Sequence, residues 1–184
     1  TLSFQSWIKA DDIRDFEIEG MSIGDSLLDY FSEEEIKNNL DKTTYHYIKK
    51  NPGKFMPVTF NSLSSFKTYE AMQFTIKKND KKYKAYTVKG MISYIDNIND
   101  CYKKMYEIDD ELSLLFKNLD REKNREKHEA DKSGKSQIEY INYWFPNNDL
   151  IEIECYDWSK EIGYTDHLRI GAKLKEFNEW LLEK

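Results

Sequence analysis

The chain has 184 residues, 39% hydrophobic and 15% aromatic, with a net charge of −6. That is the length of one ordinary domain, its aromatics supply a real core, and seven Gly and three Pro are too few for a disordered or fibrous chain. No apolar run approaches the roughly 18 residues of a membrane-spanning helix, and the negative charge argues against a general nucleic-acid binder. The charge is unevenly spread. Residues 11–40 carry ten acids and two bases, whereas residues 41–90 carry three acids and eleven bases. Such a bipolar molecule can present a basic face despite an acidic pI.

The opening Thr1-Leu2-Ser3-Phe4-Gln5-Ser6-Trp7-Ile8-Lys9-Ala10, followed abruptly by Asp11-Asp12, reads as the tail of a secretory signal peptide cut after Ala10. An ordinary amphipathic N-terminus is the alternative. Residues 11–184 then form a single domain. Phe16-Glu17-Ile18-Glu19 alternates and predicts a short strand. Ser26 to Phe31 predicts a short helix, and Ser32 with Glu35 makes a capping box for a second. Thr43 to Ile48 and Phe55 to Phe60 are strand candidates, the latter an edge strand because Pro57 cannot donate to a ladder. Ala71 to Lys78 and Lys82 to Tyr94 flank Asn79-Asp80-Lys81 as a hairpin.

Ile98, Cys101, Met105, Ile108, Leu112 and Leu115 recur at steps of three and four, predicting a long helix with one apolar stripe. Asp96 or Asn97 can cap it, and Asp109-Asp110-Glu111 would face solvent. Asp120 to Lys135 is almost wholly polar, with like charges at four-residue spacing, and reads as a frayed helix end leading into a loop. Ile138 to Phe145 and Leu150 to Trp158 predict a second hairpin around Pro146-Asn147-Asn148-Asp149. Asp166 to Ala172 predicts a last strand, and Leu174, Phe177, Trp180 and Leu181 one face of a C-terminal helix. Adjacent hairpins between helices imply an α+β fold: one mainly antiparallel sheet with helices packed on one face.

Cys101 and Cys155 are the only cysteines. One lies on the stripe of the long helix and the other on the Ile151-Ile153 face of its strand. The helix is therefore expected to cover that strand with the two sulfurs close together. In an oxidising compartment they would form a disulfide, stabilising by roughly 3–4 kcal/mol in the chain-entropy model; in a reducing one they would be two buried thiols. Lys77, Lys78, Lys81, Lys82, Lys84 and Lys89 cluster on the first hairpin. They form either a surface for an anionic envelope component or a solvated end that protects the sheet. His46, His128 and His167 are not spaced as metal ligands. Ser133-Gly134-Lys135-Ser136 lacks the upstream Gly of a phosphate-binding loop, Glu129 standing in its place. No motif calls for a cofactor.

Gly24-Asp25-Ser26-Leu27 matches the motif that names the GDSL-type serine hydrolases. That resemblance implies Ser26 as nucleophile toward an ester and His167 as its base. The chain departs from the family where Tyr164 stands three residues before His167 in place of the orienting Asp, and where antiparallel hairpins replace a parallel sheet. Separately, the stretch from Phe16 to Phe31, Cys155-Tyr156-Asp157-Trp158, Asp166-His167-Leu168-Arg169 and the closing Glu176-Phe177-Asn178-Glu179-Trp180-Leu181 resemble a group of small exported bacterial proteins to which no activity is assigned. That resemblance implies export and carries no catalytic residue. The expectation is a non-catalytic exported protein binding an envelope component or another protein, with a small Ser26/His167 hydrolase as the alternative.

Overall fold

The computed structural model describes residues 12–41, 53–95 and 97–182. The leader expected over residues 1–10, the strand over residues 43–48, the capping Asp96 and His46 lie outside the described residues. Nine strands are described: β1 (Glu17–Ile18), β2 (Met21–Ser22), β3 (Phe55–Asn61), β4 (Ala71–Lys77), β5 (Thr87–Ser93), β6 (Asp120–Lys127), β7 (Gln137–Trp144), β8 (Leu150–Asp157) and β9 (His167–Lys173). Three α-helices join them: α1 (Glu33–Asn38), α2 (Ile98–Leu115) and α3 (Lys175–Leu182). β1 and β2 form a small hairpin whose turn places Glu19 and Gly20 at positive φ, where glycine is at ease. The other seven strands form one antiparallel sheet in the order β3-β4-β5-β9-β8-β7-β6.

The strand period of two sorts this sheet into two faces. Ile151, Ile153 and Cys155 on β8 share a face with Leu168, Ile170 and Ala172 on β9. The α2 stripe of Cys101, Met105, Ile108 and Leu112 is buried with them in one cluster. Cys101 and Cys155 are bonded, with Cα atoms 6.1 Å apart, so the bridge joins the helix to the strand it covers. Further along, the segment before α1 covers the same face. Phe31 stacks on Phe60 with centroids 4.0 Å apart and meets Phe74 edge-on. The expected capping box is present, Ser32 and Glu35 each accepting the other's backbone N–H.

Several expectations are corrected. Ser26 to Phe31 shrinks to a 3-10 turn at Leu27–Asp29, with Ser26 as its N-cap. β5 begins at Thr87, because Lys84 and Ala85 bond instead to Ser26, Gly24 and Asp25. Asp109 does not face solvent: Arg121 clamps it with bonds of 2.7 and 2.6 Å, and Tyr143 donates to it from β7. The frayed helix end is strand β6, every residue of it exposed yet paired along its length with β7. Like charges four residues apart crowd one another on a helix, but on a strand they stand about 13 Å apart. Arg121, Lys123, Arg125 and Lys127 occupy the α2 face of β6; Asp120, Glu122 and Glu126 occupy the other. Two such edges paired antiparallel about a two-fold axis would oppose cation to cation and acid to acid, which disfavours self-association.

The single-face arrangement of helices does not describe α3. Its Phe177 and Trp180 pack with Phe55 and Tyr86 in a second apolar cluster, and its Glu176 pairs with Lys77 at 2.8 Å. Phe55 and Lys77 are register partners on the side of the sheet opposite Met72, Phe74 and Ile76. The edge position predicted for β3 from Pro57 holds.

Candidate functional site

The face opposite the disulfide carries the alternate residues of the same strands. Across β5, β9 and β8 the register aligns Lys89, Gly171 and Glu152 in one row, Met91, Arg169 and Glu154 in the next, and Ser93, His167 and Tyr156 in the third. A polar strand face is ordinarily solvated, yet Glu152 is 3% exposed, Lys89 7% and Glu154 8%. Gly171 makes the first row possible. It lies between Lys89 and Glu152, and the missing side chain lets the lysine reach over β9 to the carboxylate, Nζ to Oε1 2.5 Å. A Cβ at Gly171 would sit 2.6 Å from Lys89 Cγ and 2.5 Å from the Val88 carbonyl oxygen. Lys173 pairs with the other oxygen of Glu152.

This buried group holds three cations, Lys89, Lys173 and Arg169, against two carboxylates, Glu152 and Glu154. Burial pushes Lys89 down to about 8, since the Glu152 it shares with Lys173 only partly compensates. Burial also works against the charge of Lys173, but Glu152 and Glu154 outweigh it and raise the group. Glu152 is desolvated too, and the two lysines still hold it below the usual carboxylate range.

An aromatic cluster continues the face beyond the charges. His167 stacks on Tyr156 at 4.5 Å, and Tyr156 lies nearly parallel to Trp158 at 5.7 Å. Tyr164 meets Trp158 edge-on at 4.9 Å, and His128, just after β6, comes within 4.4 Å of Trp158. The Arg169 guanidinium lies 4.8 Å from the Tyr156 ring centre and donates to its hydroxyl at 3.1 Å. His167 Nδ1 lies 2.8 Å from the Thr165 carbonyl oxygen, so Nδ1 carries the proton. Burial, seconded by Arg169, pushes His167 down to about 4. The ring is neutral at pH 7 and its Nε2 is an acceptor.

The buried side-chain atoms with no hydrogen-bond partner among the described residues include Glu154 Oε2, Trp158 Nε1 and His167 Nε2 on this face. Buried polar atoms are overwhelmingly satisfied by protein or water, and one left alone costs about 1–3 kcal/mol. These atoms make this face the best-supported place for a ligand among the described residues, which contain no cluster able to hold a metal ion.

The residues singled out by sequence fall elsewhere, His167 and Lys89 excepted. Ser26 donates to the Lys82 carbonyl at 2.7 Å and bridges Lys84, before β5. His167 pairs with Ser93 at the far end of β5. Roughly 20 Å of strand lies between them, against the roughly 3 Å a nucleophile and its base require. The six lysines are dispersed. Lys78, Lys81, Lys82 and Lys84 are exposed at the hairpin end, Lys77 is tied to Glu176, and Lys89 is buried in mid-sheet. Glu152, Glu154, Arg169, Lys173 and Trp158 were missed, although the alternation Ile151-Glu152-Ile153-Glu154-Cys155 already sets the glutamates opposite the disulfide. Compared with protein-family models, curated proteins and solved structures, the chain shows no match.

Proposed function

We propose that this is an exported, non-catalytic binding protein that takes a polar component of the cell envelope on the face of the sheet opposite the disulfide. The observation that carries the reading is the presence on this face of buried polar atoms without a hydrogen-bond partner among the described residues, those of Glu154, Trp158 and His167 among them. Export is supported by the Cys101–Cys155 bridge, since such bonds persist in oxidising compartments. No helix among the described residues is long and apolar enough to cross a membrane. The exposed Lys78, Lys81, Lys82 and Lys84 would add attraction to an anionic envelope surface.

The test is thermal denaturation of the full chain with separated envelope fractions. A fraction holding the ligand raises Tm, because binding to the folded state alone stabilises it. The rise should shrink in Tyr164→Ala. The reading fails if no fraction shifts Tm, or if the chain hydrolyses a short acyl ester and Ser26→Ala abolishes that activity.

A further inference from the structure

We propose that the outer edge of β6 docks an extended segment of another protein, basic at alternate positions, which joins the sheet as a further strand. This is independent of the binding face described above. The two edges of the sheet differ. At the β3 edge the chain covers itself: the Asp41 N–H donates to the Pro57 carbonyl at 3.0 Å, the Thr59 N–H donates to the Asn39 carbonyl at 3.0 Å, and Pro57 offers no donor. β6 has no such cover among the described residues. All eight of its residues are exposed, none is a proline, and its register with β7 runs unbroken. A long, regular, open edge is a ready template for pairing, and its side chains decide which partners it admits.

The ladder fixes which backbone groups face out. The His128 N–H donates to the Ser136 carbonyl at 3.0 Å, so the even-numbered residues of β6 bond to β7. The N–H and C=O groups of Arg121, Lys123, Arg125 and Lys127 point away from the sheet. The Arg125 N–H is met by Asn124 Oδ1 at 2.8 Å, a bond that a partner carbonyl replaces. The side chains then name the partner. On the α2 side Arg121, Lys123 and Arg125 are already answered by Asp109, Glu139 and Asp157. On the other side Asp120, Glu122 and Glu126 form no ion pair among the described residues. In an antiparallel addition the positions opposite these acids are the non-hydrogen-bonded pairs, whose side chains come closest. Lys or Arg there meets the acids, and uncharged residues between them pass the cations on the α2 side. A second copy related by a two-fold axis sets acid against acid, and a uniformly basic segment sets cation against cation.

The experiment is fluorescence anisotropy of labelled, end-blocked octapeptides with the full chain: Thr-Lys repeated four times, its isomer with every Thr before every Lys, and Thr-Glu repeated four times. The alternating basic peptide should bind saturably and about tenfold or more tighter than its isomer, and the acidic peptide should not bind. Glu122→Lys combined with Glu126→Lys should weaken the alternating peptide about tenfold or more. Lys123→Pro should do the same, because it removes one outward N–H and leaves the bonds to β7 in place. Both glutamates are exposed, so their variant reports on binding even if Lys123→Pro folds poorly. The proposal is overturned if the alternating peptide does not bind below about 1 mM, if its isomer binds equally well through charge alone, or if either variant, folded, binds as the parent does. Self-association of the full chain in sedimentation that Lys123→Pro abolishes overturns it too, because the edge then serves a second copy.

Discussion

The two faces of one sheet reach similar burial by opposite chemistry. On the disulfide face, Ile151, Ile153 and Cys155 lie against Cys101, Met105 and Ile108, and apolar area removed from water accounts for the packing. On the other face the intervening residues of β8, Glu152 and Glu154, are buried too, Glu152 as deeply as many core aliphatics. Burying ions costs several kcal/mol each, which pairing repays only with good geometry. The first face is what a stable fold needs. The second is held at a cost, and costly arrangements concentrate where a protein binds or reacts.

Removing single groups should expose that asymmetry. Glu152→Ala leaves Lys89 and Lys173 buried without their shared carboxylate and should cost about 3–5 kcal/mol in urea unfolding at pH 7. Lys89→Met should cost much less, because Glu152 keeps Lys173 and a desolvated ammonium is removed. Equal losses from the two variants would mean that the group is not held against its own desolvation.

The disulfide face should answer to covalent chemistry. Reduction, or Cys101→Ser, should lower stability by about 3–4 kcal/mol through the restored freedom of the unfolded chain. An unchanged urea midpoint after complete reduction would show that the apolar contacts suffice.

Acid provides the gentlest probe. His167 titrates near 4 when folded against its ordinary 6.5. The unfolded chain therefore takes up a proton first as pH falls. The histidine's contribution is complete above 6.5 and drains away down to about 4, by at most roughly 3 kcal/mol. His167→Phe keeps a ring on Tyr156 but cannot titrate, so its stability should vary less between pH 7 and pH 4 than the parent's. Parallel pH profiles would remove His167 as the cause.

Periodicity alone fixed much of this molecule. The α2 stripe at steps of three and four, the alternation of β7, β8 and β9, the Ser32–Glu35 box and the edge position of Pro57 are local patterns with local causes. The Cys101–Cys155 contact followed because two such patterns set one cysteine on each facing surface. Strand β6 was legible in part, in the alternating signs of Asp120 to Glu126. Its polarity masked the signal, because β6 is held by ladder bonds to β7, by the Arg121–Asp109 ion pair to α2 and by ion pairs of Lys123 and Arg125 with Glu139, rather than by an apolar face. The candidate site was decided by tertiary structure. Period two gives the face on which Glu152, Glu154, Arg169 and His167 lie, but not whether water reaches it. That depends on strand order: β9 enters between β5 and β8 from the far end of the chain. Lys89 and Glu152, 63 residues apart in sequence, thereby meet across Gly171, and no local pattern encodes a distance between strands that are not neighbours in the chain.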